Sequence, residues 1–378
     1  MIKLDISILE KCKANYFKEI SLILNNKYNT NKLKMYFANP FTLGKIGSLL
    51  YNWESEFIRD LITKPINYNI TKYKELENYY KSASIVFYGK FKINDELARI
   101  GWQKNNQSRQ RFRQQFINKH LNDWINPIIS RHQNYYSTNA TFKDFINEIE
   151  IKLTQLNKLI SNFINYDLLS GELRHKLLVD MDIPVCPYCN RQYITSYFDG
   201  NKNKTTADLD HFLPKSHFAL FSLSLYNFVP ACQICNSRFK SDKGVEIINP
   251  YQGDFNAKFQ VKLRNDSEIS SITGGNTIFD LDLVITERDP NNQILIENTI
   301  NLFHLNDIYQ IHKNSVREIL YKKNAYAKTY KKEMKKLFEQ DLKLTENEIN
   351  IFLYNNDLNT DNFTNRRPLS KLTYDVLK

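Results

Sequence analysis

Two short stretches, "CPYCNRQY" from Cys186 and "CQICNSRFK" from Cys232, hold four of the five cysteines in this 378-residue chain. In a C-x-x-C bend the two-residue gap lets both sulfurs turn inward, and two such knuckles supply the four ligands of a tetrahedral Zn²⁺ site. Cys186, Cys189, Cys232 and Cys235 are therefore expected to form one closed site. With no open coordination position, its Zn²⁺ would be structural and would contribute to folding directly. A redox C-x-x-C would need a thioredoxin-like βαβ context, which the flanking sequence lacks. The N-terminus "MIKLDISILEKCKANYFKEI" has no signal-peptide pattern, and no apolar run reaches bilayer-spanning length. The chain is thus expected to be cytoplasmic, where paired cysteines read as a metal site before disulfides. The fifth cysteine, Cys12, falls on an apolar helix face and reads as core packing.

The interval between the knuckles, residues 190–231, is longer than a zinc ribbon needs, so the insert must hold something else. "TTADLDHFLPKS" reads as a strand that ends at a proline, with Asp208 and Asp210 on one side and Leu209 and His211 on the other. "LYNFVPACQICNSRFKSDKG" reads as a second strand, then a helix from near Gln233 that closes at Gly244. The predicted unit is strand, loop, strand, helix, clamped at its ends by zinc. Its polar residues suit phosphodiester hydrolysis. An attacking water needs a base that titrates near neutrality, and His211 supplies one. Charge building on the phosphoryl oxygens favours a hard divalent cation with carboxylate and amide oxygen ligands. Asp210 offers the carboxylate, Asn236 the amide oxygen, and Asn227 can cross-brace the loop. Lys215, Ser216, Arg238, Lys240 and Lys243 are placed for phosphate contact. Asp208 reads as an N–H acceptor or solvent-facing group rather than a second metal carboxylate, and His217 as structural or a phosphate contact.

The order Cys-x-x-Cys, Asp-His with a proline three residues on, then "NFVPACQICN" and a nearby basic residue resembles the HNH endonuclease family, in an H-N-N variant. The resemblance covers residues 183–245. It implies a ββα-metal fold, His211 as general base, Asp210 and Asn236 as ligands of a catalytic Mg²⁺ or Mn²⁺, and Asn227 as loop organiser. It also implies hydrolysis of DNA that leaves 5′-phosphate and 3′-hydroxyl ends. HNH proteins with large helical flanks resemble nuclease subunits of bacterial anti-phage or restriction systems, including Septu-type systems paired with an ATPase. This chain has no G-x-x-x-x-G-K-[ST] motif, so an ATPase or sensor would have to be a partner protein. Two alternatives stand beside this reading. One is a catalytically inactive zinc-containing nucleic-acid-binding or scaffold subunit. The other is a mobile-element nuclease.

The remainder gives an α+β chain: mostly helical flanks around the small nuclease module, with a short antiparallel β segment after it. Residues 1–180 read as a helical domain for target or partner binding, with breaks near "NPFTLGKIGS", "TKPINYN" and "YSTNAT". Residues 181–250 carry the module. Residues 251–378 begin with alternating strands, "KFQVKL" and "FDLDLVIT", and return to basic helices. With 42% hydrophobic and 25% charged residues the composition is globular, and the formal net charge of +11 favours a polyanionic partner, DNA foremost. Two stretches concentrate that charge. From Gly101 to His120 there are Lys104, Arg109, Arg111, Arg113 and Lys119 with no acid, which fits either a phosphate-contacting or a solvated helix face. From Lys313 to Lys336 nine basic residues face only Glu318 and Glu333, interleaved with Tyr321, Tyr326 and Tyr330. That mix suits backbone contact with base stacking, or equally a tyrosine stripe packed inward.

Overall fold

A computed structural model of the chain describes residues 2–30, 50, 54–92, 106–200, 202–326, 328–339, 345–356 and 367–378. Lys104 and the break at 39–48 lie outside them. Among the described residues eight α-helices carry the first half: α1 (Ser7–Thr30), α2 (Glu56–Thr63), α3 (Ile66–Lys72), α4 (Lys74–Lys92), α5 (Asn106–Lys119), α6 (Asn126–Arg131), α7 (Asn139–Ile160) and α8 (Gly171–Met181). Helix α7 shows why they form. Thr138 caps its N-terminus reciprocally with Thr141. Phe142, Phe145, Ile146, Ile149, Leu153, Leu156 and Ile160 then fall on one buried face at helical spacing. Gly89 of α4 lies so close to Ile146 that a Cβ there would come within 2.7 Å of its Cδ1, so the glycine lets α4 and α7 approach. Ser170 caps α8 by accepting from Leu173 N, and Asp182, in the left-handed region at φ 45°, ends it.

Three separate antiparallel strand pairs follow, making the fold α+β. The hairpin β1 (Ser196–Asp199) and β2 (Lys202–Thr205) has no counterpart in the sequence reading, although Asp199-Gly200 is a turn signal. The second pair is β3 (Ala207–His211) with β4 (Phe228–Cys232), in a register that sets Asp210 opposite Val229 and His211 opposite Phe228. Strand β4 runs straight into the knuckle helix (Ile234–Lys240), which is wound in the wider π form. This helix ends at Ser241, whose φ of 42° breaks it and whose N–H returns to Asn236 O at 2.8 Å. The expected cap at Gly244 is therefore three residues late. The third pair, β5 (Ala257–Leu263) with β6 (Phe279–Ile285), matches the alternating stretches of the sequence.

Helices α9 (Pro290–Leu302), α10 (Lys313–Ala325), α11 (Lys328–Glu339), α12 (Glu346–Tyr354) and α13 (Ser370–Leu377) close the chain. One continuous hydrophobic core runs from Leu4 through the cysteines to Val376, and Met334, Ile349, Leu353 and Tyr354 form a small second cluster. No helix among the described residues is long and apolar enough to cross a membrane.

The basic face expected on α5 splits. Arg111 is exposed, but Arg113 is only 2% exposed and donates through Nη1 to Tyr136 O at 2.7 Å and through Nη2 to Asn139 Oδ1. Arg113 is therefore a brace between α5 and the start of α7 rather than a phosphate contact. Arg113→Ala should lower stability by about 2 kcal/mol in denaturant unfolding, because it removes a buried side chain and leaves the half-buried Tyr136 carbonyl without its donor. Arg111→Ala should stay within about 0.5 kcal/mol of the parent.

Candidate functional site

The sulfurs of Cys186, Cys189, Cys232 and Cys235 all lie within 4.8 Å of one another and are buried. Four ligands around one Zn²⁺ at about 2.3 Å would sit roughly that close, so the group could hold a metal such as zinc. Burial and mutual hydrogen bonding push the Cys186 and Cys235 thiols up and the Cys189 and Cys232 thiols down, so the four sulfurs share protons within one cluster. The first knuckle closes through Asn190 N to Cys186 O at 2.8 Å, with Asn190 left-handed at φ 51°. The Asn190 side chain, which the motif leaves without a role, is fully buried and accepts from Lys371 N at 3.0 Å and Ser370 Oγ at 3.2 Å. It thereby fastens the start of α13 to the knuckle.

Strand and knuckle helix meet in matched steps. Residues two apart on a strand are separated by about 7 Å, close to one turn of helix. Asp208 and Asp210 accordingly face Asn236 and Lys240. Asn236 Nδ2 donates to Asp208 Oδ2 at 3.0 Å. Lys240 Nζ donates to Asp210 Oδ1 at 3.0 Å and to His211 O at 2.7 Å. Tyr188, from the first knuckle, donates to Asp210 Oδ2 at 2.6 Å. Asp210 and Lys240 are 4% and 5% exposed. Lys240 is therefore the internal counter-ion of Asp210 and does not reach out to phosphate. The carboxylate beside Asn236 is that of Asp208, not Asp210. Asp208 Oδ1 and the Asn236 amide oxygen make no hydrogen bond to other described residues, leaving one carboxylate and one amide oxygen side by side.

His211 lies at the other side of the same strand end. Its Nε2 is 3.0 Å from Ser222 O. A carbonyl can only accept, so Nε2 carries the proton and Nδ1 keeps its lone pair. The imidazole packs edge-on between Tyr166 and Phe228, with ring centroids at 4.6 and 5.1 Å. Burial pushes its pKa down to about 4, against the opposing pull of the Ser222 carbonyl and Asp210. The ring is thus neutral over the whole physiological range. Asn227, fully buried, accepts from Leu213 N at 2.7 Å and donates to Leu213 O and Phe221 O, both at 3.0 Å. It pins both sides of the loop that carries Ser222.

The remaining sequence candidates are spread out. Lys215 is close to the imidazole, with Nζ 4.8 Å from the Tyr166 ring centre. Arg238 is exposed on the knuckle helix and Lys243 is half-buried just beyond it. Arg109 is half-buried on α5, outside this cluster. Tyr166, Tyr188 and Arg174 belong to the site's surroundings although no motif marks them. Only long-range folding brings them there. Compared with protein-family models, curated proteins and solved structures, the chain matches none.

Metal analysis of the purified protein should find one zinc per chain, and Cys232→Ser should lose both that zinc and the folded state. The His211 imidazole, followed by NMR, should remain neutral from pH 8 down to 5 and titrate near pH 4. A depressed histidine pKa means that the fold favours the neutral ring. Its contribution to stability is complete above the unfolded value of about 6.5 and is lost as pH falls toward 4.

Proposed function

We propose that the protein is a metal-dependent endonuclease of the HNH type, acting on DNA. The observation that carries this reading is His211: a neutral imidazole whose Nε2–H is held by the Ser222 carbonyl, leaving Nδ1 free as an acceptor. The sequence reading called for a base that titrates near neutrality, whereas burial holds His211 at about 4; on this reading the ring acts as a weak base, present in its acceptor form throughout the physiological range and held in one tautomer beside a half-exposed strand end. Asn227 supports that geometry from behind by fixing the loop that bears Ser222. Asp208 and Asn236 would hold the catalytic Mg²⁺ or Mn²⁺, which when bound would offset charge on the phosphoryl and leaving oxygens. Asp210, the ligand implied by the family resemblance, would join them only by exchanging Lys240. The four cysteines would hold a structural zinc that takes no part in the chemistry. Arg238 and Lys215, both exposed, suit contact with the DNA backbone, consistent with the chain's basic balance. A role in anti-phage defence or restriction, with an ATPase or sensor as partner, fits a nuclease that contains no nucleotide-binding loop.

One observation favours a second reading. The Asp210–Lys240 pair leaves the carboxylate that the motif assigns to a metal neutralised from within. A zinc-containing DNA-binding subunit without hydrolytic activity would tolerate that pairing unchanged. Plasmid cleavage separates the two. The nuclease should nick or linearise DNA with Mg²⁺ or Mn²⁺, and His211→Ala should reduce the rate by about 10²–10⁴-fold with zinc content unchanged. Cleavage that survives His211→Ala would exclude His211 as the base. Binding without cleavage under any divalent cation would establish the second reading.

A further inference from the structure

Tyr166 is the nearest aromatic neighbour of His211, and it comes from the helical half of the chain, in a single turn just before α8. Two cations converge on its ring. The Arg174 guanidinium, from the first turns of α8, is 5.1 Å from the ring centre, and Lys215 Nζ, from the loop after β3, is 4.8 Å away. Through that one ring each cation lies within roughly 10 Å of the imidazole, inside one Debye length at ordinary ionic strength. Arg174 donates through Nε to Ser170 O only at the long distance of 3.5 Å and otherwise meets the Tyr166 side chain, so neither cation is committed to a buried anion among the described residues. Arg174 is half-exposed and has no carboxylate within ion-pair distance among the described residues. Lys215 has only Asp167, at 3.5 Å, and the two side chains are 47% and 76% exposed. An ion pair that open contributes little and exchanges readily for a better anion.

We propose that Arg174 and Lys215, held on the Tyr166 ring beside His211, form a phosphate-binding limb that seats a backbone phosphodiester of the bound DNA against the imidazole. The chemistry favours a phosphate. A guanidinium presents two parallel N–H donors to two non-bridging oxygens, and stacking on an aromatic face fixes its plane beforehand. The ring also limits how far the two long side chains wander, which reduces the ordering cost when the anion arrives. Arg174 lies outside the segment that carries the knuckles, so the limb would make DNA engagement depend on how α8 packs beside β3. This inference rests on the nuclease reading for its purpose but not for its measurement.

The test is duplex binding by the full-length protein, followed by fluorescence anisotropy from 50 to 200 mM salt with no added divalent cation. It is run alongside cleavage in Mg²⁺. Arg174→Ala should weaken binding about tenfold and lower the slope of log affinity against log salt by about one, the signature of one lost phosphate contact. Arg174→Lys should restore most of the slope but not all of the affinity, since it keeps the charge and loses the fork. Zinc content and melting temperature identify a variant that has misfolded, in which case the milder Arg174→Gln takes its place with the same expectation. A folded Arg174→Ala protein with the parental salt slope would overturn the limb, whether or not it still cuts. A reduced slope in a protein that never cleaves would sustain the limb and overturn the nuclease.

Discussion

The packing of four sulfurs around one point decides the middle of this chain. Four buried thiolates would repel one another in a low-dielectric interior unless a cation sat among them, so a metal such as zinc, which the cluster could hold, would couple folding there to metal binding. The cluster also joins more than the two knuckles. The N-terminal segment docks beside it through Ile2 N to Pro187 O at 2.8 Å. Tyr309 donates to Cys189 O at 2.6 Å, and Asn190 fastens the C-terminal helix to the same bend. Both ends of the chain are thus tied to one eight-residue stretch, and loss of the cluster would release them together.

A second constraint is laid over the first. Asp210 gathers Tyr188 from the first knuckle, β3 from the insert and Lys240 from the helix after the second knuckle. Burying an ion pair is costly in desolvation, and its net contribution to stability is small. Removing one partner is expensive because the other charge remains stranded. The pair therefore acts chiefly as a registry device. It favours the alignment of β3 and the knuckle helix that also brings Asp208 to Asn236. The loop between β3 and β4 is held from the other side by the helical half. Tyr16 donates to Leu223 O at 2.8 Å, and Asn157 Nδ2 to His217 O at 3.0 Å. The insert is consequently embedded in the helices rather than attached to them, and His211 owes its burial to that embedding.

What the sequence made legible was local. The knuckle spacing, the alternation in β3, the paired strands β5 and β6, and the periodic apolar face of α7 all depend on neighbours within a few residues. Asn227 was also readable, because bracing a loop is what a buried amide between two strands can do. The surprises involve distance. Lys240 sits among exposed basic residues in sequence, and only Asp210, thirty residues earlier, explains its burial. Arg113 looks like Arg111 until Tyr136 and Asn139 come against it. Tyr166 and Arg174 have no motif, since nothing local announces that a turn before α8 will lie on an imidazole. The β1–β2 hairpin is different: its Asp-Gly turn was visible, but no buried face accompanies it, and exposed Tyr197 and Phe198 obscure the alternation that marks a strand.

The two aspartates of β3 show how geometry can redirect a motif. They leave the same face of one strand and meet the same helix, so sequence spacing treats them as equivalent. Their answering groups are not equivalent. Asp210 is met by an ammonium and a phenol, both aimed at its oxygens and sealed from water. Asp208 is met by an amide that occupies a single carboxylate oxygen, and the amide's own oxygen makes no hydrogen bond to the described residues. For a hard cation arriving from solvent the difference is large. At Asp208 and Asn236 it would find two oxygen ligands without displacing any charge. At Asp210 it would first have to displace Lys240, whose buried ammonium would then need a new partner. On the nuclease reading, then, Asp210 orients the strand while Asp208 and Asn236 receive the metal, and the residue adjacent to the base is not the one that does most to hold the ion.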